Sequence, residues 1–188
     1  MNEKELRKNL IAKRESLDSK TLIRNTKIVT QALFSLDGFT EFSSYFVYKS
    51  FRGEVDTNEI IERLERLGKT VLYPVTDGDI MYAVKNEGER FVRDRFGVEV
   101  PERYTVFDAP DVVIVPLVAC DKNLNRIGFG KGYYDRFLRN RKCLKIGICH
   151  DFQVVDVLEP KEWDVPLDVV ITEKRVIPSD SFSIQAEF

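Results

Sequence analysis

The 188-residue chain has one histidine, two methionines and one tryptophan, and its three cysteines are odd in number. A single histidine, His150, excludes a multi-histidine metal site. It also leaves little scope for a nucleophile–histidine–acid triad, since no serine or cysteine stands in a triad pattern. His150 lies between Cys149 and Asp151, but adjacent residues on a strand point to opposite faces, so packing is its expected role. Cys120, Cys143 and Cys149 lack C-x-x-C spacing and predict reduced thiols in a cytoplasmic protein. No apolar run approaches the roughly 20 residues that span a bilayer. The first residues are polar and charged, without the apolar core of a secretory signal. Net charge is −2, which excludes a global electrostatic case for nucleic acid or membrane binding. Hydrophobic residues at 43% and charged residues at 32% are ordinary for a globular protein. The length predicts one domain, 1–188, with no linker or repeat.

Charge is uneven at one end. Residues 1–30 hold eight lysines and arginines against four carboxylates. A basic helix is ordinarily a solvated face, but one or two of these cations can fold back onto an anionic ligand.

Leu6, Leu10 and Leu17 mark the apolar side of a first helix. Asp18-Ser19 offers a cap for a second helix carrying Leu22, Val29 and Leu33 on one face. Tyr45–Tyr48 reads as a buried strand. Thr57 can cap a helix bearing Ile60, Ile61, Leu64 and Leu67, which stops at Gly68. Thr70–Pro74 is a strand, and Asp77-Gly78 predicts a hairpin into Ile80–Val84. Residues 85–110 read as polar and irregular, an excursion along a ligand cleft. Val112–Pro116 is near-continuously apolar, as expected for a strand covered on both faces. Leu144–Cys149 and Val169–Thr172 are further strands. Strands alternating with helical patterns predict a mostly parallel sheet between helices.

The most informative run is Arg126-Ile127-Gly128-Phe129-Gly130-Lys131-Gly132-Tyr133-Tyr134-Asp135-Arg136. Glycines let backbone N–H groups approach an anion, and alternating glycines can form a nest of such donors. Arg126 can fork onto phosphate and Lys131 adds a flexible point charge. Tyr134, Phe137 and Leu138 have helical spacing, so the loop opens a helix whose N-terminus also favours an anion. Asp135 beside that anion is sensible if a divalent cation lies between them. The spacing matches neither the P-loop nor the dinucleotide fingerprint. The run therefore predicts a site for a polyphosphate with its metal.

The same run resembles the R-L-G-x-G-x-G-Y-Y-D-R-F/Y-L signature of the 5-formyltetrahydrofolate cyclo-ligases. Gly53–Thr57, Val115–Asp121, Ile146–Gln153, Asp164–Asp168 and Ile171–Glu173 resemble other segments of that family in the same order. The resemblance implies a three-layer α/β/α Rossmann-like fold with a mostly parallel sheet, related to sugar-phosphate isomerase and CoA-transferase-like folds. It implies a ligase that uses ATP, with Mg2+, to convert 5-formyltetrahydrofolate to 5,10-methenyltetrahydrofolate, ADP and phosphate. A monomer acting on two small molecules is expected. It implies that Arg126–Tyr134, with Lys4 and Arg7, hold the ATP phosphates, and that Lys131 and Arg126 serve the phosphoryl transfer. Phe129–Tyr133 then border the folate, Glu54 reads its aminopyrimidinone edge, and Tyr48 stacks on the pterin. Asp135 and Asp168 are the implied magnesium ligands, with Asp164 as the alternative to Asp168. Glu3 departs from the family, which tends to have a basic residue there. Trp163 is expected in a lid or in packing. A non-catalytic nucleotide-binding module and a sugar-phosphate isomerase of related fold are the competing readings. The isomerase requires a base pair near sugar carbons, and none is evident.

Overall fold

The structure, a computed structural model, describes residues 2–182; positions 1 and 183–188 of the expected domain lie outside the described residues. Asn2 opens α1 (Glu3–Glu15) with a capping box, its side chain accepting from the Glu5 N–H at 2.9 Å. The helix stops short of Leu17. Asp18 caps α2 (Ser19–Phe34) by accepting from the Thr21 N–H at 2.9 Å. β1 (Ser44–Val47) follows, then α3 (Asn58–Arg66), which gives way to Gly68 at φ +72°. Thr57 precedes α3 but does not cap it through its side chain. Its hydroxyl donates to the Tyr48 carbonyl at 2.6 Å and accepts from the Ser50 N–H at 3.2 Å, fastening the segment that leaves β1.

β2 (Thr70–Asp77) and β3 (Ile80–Asn86) form the expected hairpin. The stretch read as irregular holds three short strands, β4 (Phe91–Arg93), β5 (Glu99–Pro101) and β6 (Tyr104–Val106). β4 and β5 pair with each other, and β6 adds to the main sheet against β3. Their residues are mostly exposed, so they lack the apolar alternation that marks a half-buried strand. β7 (Val112–Val115) leads into β8 (Ala119–Cys120) and β9 (Arg126–Ile127), an antiparallel pair. α4 (Tyr133–Leu138), β10 (Leu144–Ile148), β11 (Val169–Ile171) and β12 (Val176–Pro178) complete the described elements.

The main sheet has the order β12-β11-β10-β7-β1-β2-β3-β6. Its central strands β11, β10, β7, β1 and β2 are parallel, and the flanking strands are antiparallel. Every residue of β1 and β7 is buried, as covering both faces requires. Val112 and Ile114 face α2 and α3, packing with Val29, Leu33, Ile60 and Leu64. Val113 and Val115 face the opposite side, with Phe137 and Leu138 of α4. The result is an α/β/α layering around a mostly parallel sheet. α1 packs outside these layers, where Leu10 meets Val118 and Ala119. Strand order reverses at β1, with β2 to one side and β7 to the other. The crevice beyond the carboxyl ends of such strands is where open α/β sheets bind ligands.

Candidate active site

A cleft of about 490 Å³ opens at that reversal point. Tyr48 follows β1, Pro116 follows β7, and Pro74 and Thr76 come from the far part of β2; all four line it. The glycine loop forms one wall. Asp94, Phe96 and Val98 of the β4–β5 hairpin form part of the rim, so of residues 85–110 it is the 94–98 turn that borders the cleft.

The loop is delivered by a turn organised around buried Asp121. Its carboxylate accepts from the N–H groups of Asn123, Asn125 and Leu158 at 2.9–3.0 Å. That fixes the β8–β9 hairpin and sends Arg126 toward the cleft. Gly130 and Gly132 then take φ of +92° and +69°, which L side chains rarely adopt. A Cβ on Gly128 would meet open space, and one on Gly130 would meet the Arg7 guanidinium at 3.6 Å. Among the described residues, none accepts a hydrogen bond from the backbone N–H groups of Gly128 through Lys131. α4 has only six residues, so these loop donors, and not a long helix dipole, supply the positive backbone field. Tyr133 fastens the loop to the β2–β3 turn, its hydroxyl donating to the Gly78 carbonyl at 2.8 Å. Lys131 is exposed at the cleft, with no ion-pair partner among the described residues.

Arg7 reaches the loop from α1. Its Nε donates to the Gly128 carbonyl at 2.7 Å, and Nη2 donates to Glu3. Glu3 also pairs with Lys161 at 3.4 Å, and all three line the cleft. Lys4 is exposed and does not line the cleft. Glu3 stands one turn before Arg7 on the same helix face and pairs with it. Of the two cations expected to hold ATP phosphates, Arg7 lines the cleft and Lys4 does not.

The fork of Arg126, assigned to phosphate from sequence, is engaged by the chain itself. Nη1 donates to the Val165 carbonyl at 2.6 Å, and Nη2 to Asp135 Oδ1 at 2.9 Å. The Val165 N–H donates to the same oxygen at 3.1 Å. Asp135 is thereby held with Oδ2 turned free of these donors. Asp164 lines the cleft beside it, its Oδ2 accepting from the Lys161 N–H at 2.9 Å.

Asp168 does not join them. It sits just before β11, at the amino ends of the parallel strands, whereas the cleft lies at their carboxyl ends. There it pairs with the Lys145 ammonium at 3.0 Å and accepts the Lys145 N–H at 2.7 Å. Asp168, implied as a magnesium ligand, instead ties the start of β10 to β11 through Lys145 and stands apart from the cleft.

Glu54 lines the other side of the cleft and is only 7% exposed. It accepts from the Phe51 N–H at 2.9 Å and lies 3.8 Å from Arg14 Nη1. Burial pushes its carboxyl up to about 7, against the opposing pull of Arg14 and of the Phe51 N–H. Tyr48 stands beside it, 4% exposed, its hydroxyl raised well above the ordinary value by burial. Phe129 and Trp163 are 41% and 56% exposed at the cleft. Two residues behind this wall were not linked to the site by the sequence. Arg14 is fully buried, though it comes from the helix that reads as a solvated basic face. His150 is also fully buried, and both ring nitrogens are engaged, by Asn25 and by the Gly53 carbonyl. That arrangement leaves no Cys149–His150 dyad.

Among the described residues, no three histidine, cysteine or carboxylate groups converge as a metal cage, and no helix is long and apolar enough to cross a membrane.

Residues 1–173 match the model of the 5-formyltetrahydrofolate cyclo-ligase family. The 5-formyltetrahydrofolate cyclo-ligase of Escherichia coli is 38% identical over 141 residues, covering 69% of this chain and 78% of that one. The 5,10-methenyltetrahydrofolate synthetase of Aquifex aeolicus superposes with a TM-score of 0.86 at 32% identity, covering 97% of this chain and 95% of the other. The 5,10-methenyltetrahydrofolate synthetase of Mycoplasma pneumoniae gives a TM-score of 0.76 at 27% identity, covering 92% and 99%.

Proposed function

The chain belongs to the 5-formyltetrahydrofolate cyclo-ligase family, and from that premise we propose that it uses ATP to close 5-formyltetrahydrofolate into 5,10-methenyltetrahydrofolate within this cleft. One observation carries the ATP-dependent reading. A wall of free backbone donors with Lys131 faces a buried carboxylate and aromatic pocket across a single cavity. The first suits a polyphosphate and the second an aminopyrimidinone ring. Their common space is where a phosphoryl group can meet a formyl oxygen.

The chemistry needs no base or nucleophile from the protein. The N5-formyl oxygen attacks the γ-phosphorus, the bond to the bridging oxygen breaks, and ADP leaves. The formyl carbon, now bearing a phosphate, is attacked by N10. N10 passes its proton to water or to the departing phosphate, the C–O bond breaks with its electron pair, and phosphate leaves as the methenyl bridge forms. Catalysis of this kind is alignment plus stabilisation of charge on the moving phosphoryl group. Arg7 and the backbone donors of Gly128–Lys131 orient the phosphates in this reading, and Lys131 neutralises the transferring group. Glu54 and Tyr48 fix the pterin, and Phe129 covers the reacting space. Arg126 acts indirectly, by holding Asp135 and the Val165 segment.

Mg2+ commonly binds through one or two carboxylates together with substrate phosphates. Asp135, with Oδ2 available, and Asp164 fit that demand, and a bound ion would offset phosphate charge. Asp164→Asn should therefore raise the magnesium concentration that half-saturates turnover by about tenfold, a loss of roughly 1.4 kcal/mol. Asp168→Asn should leave that concentration unchanged and lower stability by only about 0.5–1 kcal/mol, since its pair is partly exposed. Magnesium titrations of both variants check this, and a shift in Asp168→Asn alone would return the second ligand to Asp168.

The test of the whole reading is the methenyltetrahydrofolate chromophore. Folded protein with ATP, magnesium and 5-formyltetrahydrofolate should accumulate it, and omission of ATP should abolish it. Product without ATP, or none with it, defeats the proposal.

A further inference from the structure

The loop that presents Glu54 has a backbone it would not keep unaided. Arg52 and Gly53, which precede Glu54, take φ of +52° and +72°. A left-handed conformation costs a non-glycine residue about 1–2 kcal/mol. A Cβ on Gly53 would stand 2.5 Å from the Arg14 carbonyl oxygen, so the loop is pressed directly against α1.

Both carbonyls of this turn are held from outside the loop. Arg14 Nε donates to the Arg52 carbonyl at 2.9 Å, while Nη1 donates to the Leu117 carbonyl at 3.3 Å. His150 Nε2 lies 2.9 Å from the Gly53 carbonyl, and Nδ1 lies 3.2 Å from Asn25 Nδ2. The Asn25 amide nitrogen can only donate, so Nδ1 accepts and the proton sits on Nε2, aimed at Gly53. Burial holds the ring below its ordinary value and so keeps it neutral. Arg14 Nη2 has no acceptor among the described residues, and the carboxylate nearest its guanidinium is Glu54. Arg14 and His150 thus fasten the two peptide groups before Glu54, and Phe51 fastens its carboxylate.

We propose that Arg14 and His150 are positioning residues that set the depth and orientation of Glu54 in the cleft, and so determine affinity for the pterin ring without acting on the polyphosphate. The inference rests on Glu54 being the pterin-reading group. Neither residue lines the cleft; His150 reaches it through the Gly53 carbonyl, and Arg14 through the Arg52 carbonyl, through Glu54 itself at 3.8 Å and through the Phe129 ring at 5.5 Å, which makes the His150 variants the cleaner test.

Calorimetric titrations with 5-formyltetrahydrofolate alone and with MgATP alone test it. His150→Leu should weaken folate binding at least about tenfold, the equivalent of one lost hydrogen bond to the loop. MgATP affinity should stay within about twofold, a difference too small to register a lost contact. His150→Gln keeps an amide donor for Gly53 and an acceptor for Asn25, and should restore most of the folate affinity. Equal loss of both ligands, unchanged folate affinity, or no rescue by glutamine would overturn the proposal. If His150→Leu does not fold, Arg14→Lys takes its place, because it removes the Nε donor to Arg52 while keeping the charge; the same split supports the proposal and its absence defeats it. Glu54→Gln is the control. Wild-type folate binding in that variant removes the underlying reading, whereas loss there with no loss in the His150 variants removes only the positioning role.

Discussion

Glu54→Gln should weaken 5-formyltetrahydrofolate binding by about 1–3 kcal/mol, up to about a hundredfold, and leave MgATP binding unchanged. A carboxylate accepts two hydrogen bonds from the aminopyrimidinone edge, whereas a carboxamide turns one of those acceptors into a donor that opposes the ring. The pH dependence is a second signature. Burial raises Glu54 to about 7, so the carboxyl is neutral below that pH and ionised above it. Wild-type folate affinity should therefore rise as pH increases through about 7, and the variant should lose that inflection. Stability should move the opposite way. A carboxyl raised on folding favours the folded state fully below its unfolded value, and the contribution disappears as pH rises through the folded value. Melting temperatures measured from about pH 5 to 8 should fall more steeply for the wild type than for Glu54→Gln. A pH-independent folate affinity in the wild type would deny Glu54 this role.

Lys131→Met should lower turnover at least about tenfold with little change in stability. The lysine is exposed on the glycine loop, and its ammonium has no ion-pair partner among the described residues. Removing it thus deletes no packing and no buried pair. The deficit should appear in kcat more than in KM, because charge on the transferring phosphoryl group is concentrated in the transition state. Wild-type kcat in a folded Lys131→Met protein would make the residue a solvated bystander.

Each of the two assignments involves a different kind of information. The glycine loop is legible in the chain because its function depends on backbone conformation. Only glycine readily supplies the positive φ at positions 130 and 132. The same holds for the Asp77-Gly78 turn, the Asp18 cap and the continuous apolar strands, whose residue types state their local geometry. The β4–β5 hairpin and β6 were illegible because short, exposed strands carry no apolar period. Arg14 was illegible for another reason. An arginine on a basic helix reads the same whether it faces water or is 1% exposed, and it is the close approach of Gly53, Glu54, Leu117 and Phe129, distant in sequence, that encloses it.

By itself, then, the sequence determined the α/β class, the order of most strands, the phosphate-suited loop and the family resemblance, all of which reside in residues close together along the chain. Tertiary structure alone decided which charges converge. It brought Asp164 to the cleft and left Asp168 at the other edge of the sheet with Lys145. It turned the Arg126 fork onto Asp135, placed Glu3 and not Lys4 beside the loop, and set Arg14 and His150 behind Glu54. Parallel strands bring together residues distant in sequence, and their register determines which edge each carboxylate reaches. The central strands β1 and β7 are buried at every residue, so no alternation along the chain marks their register, and packing across both faces of the sheet decides it.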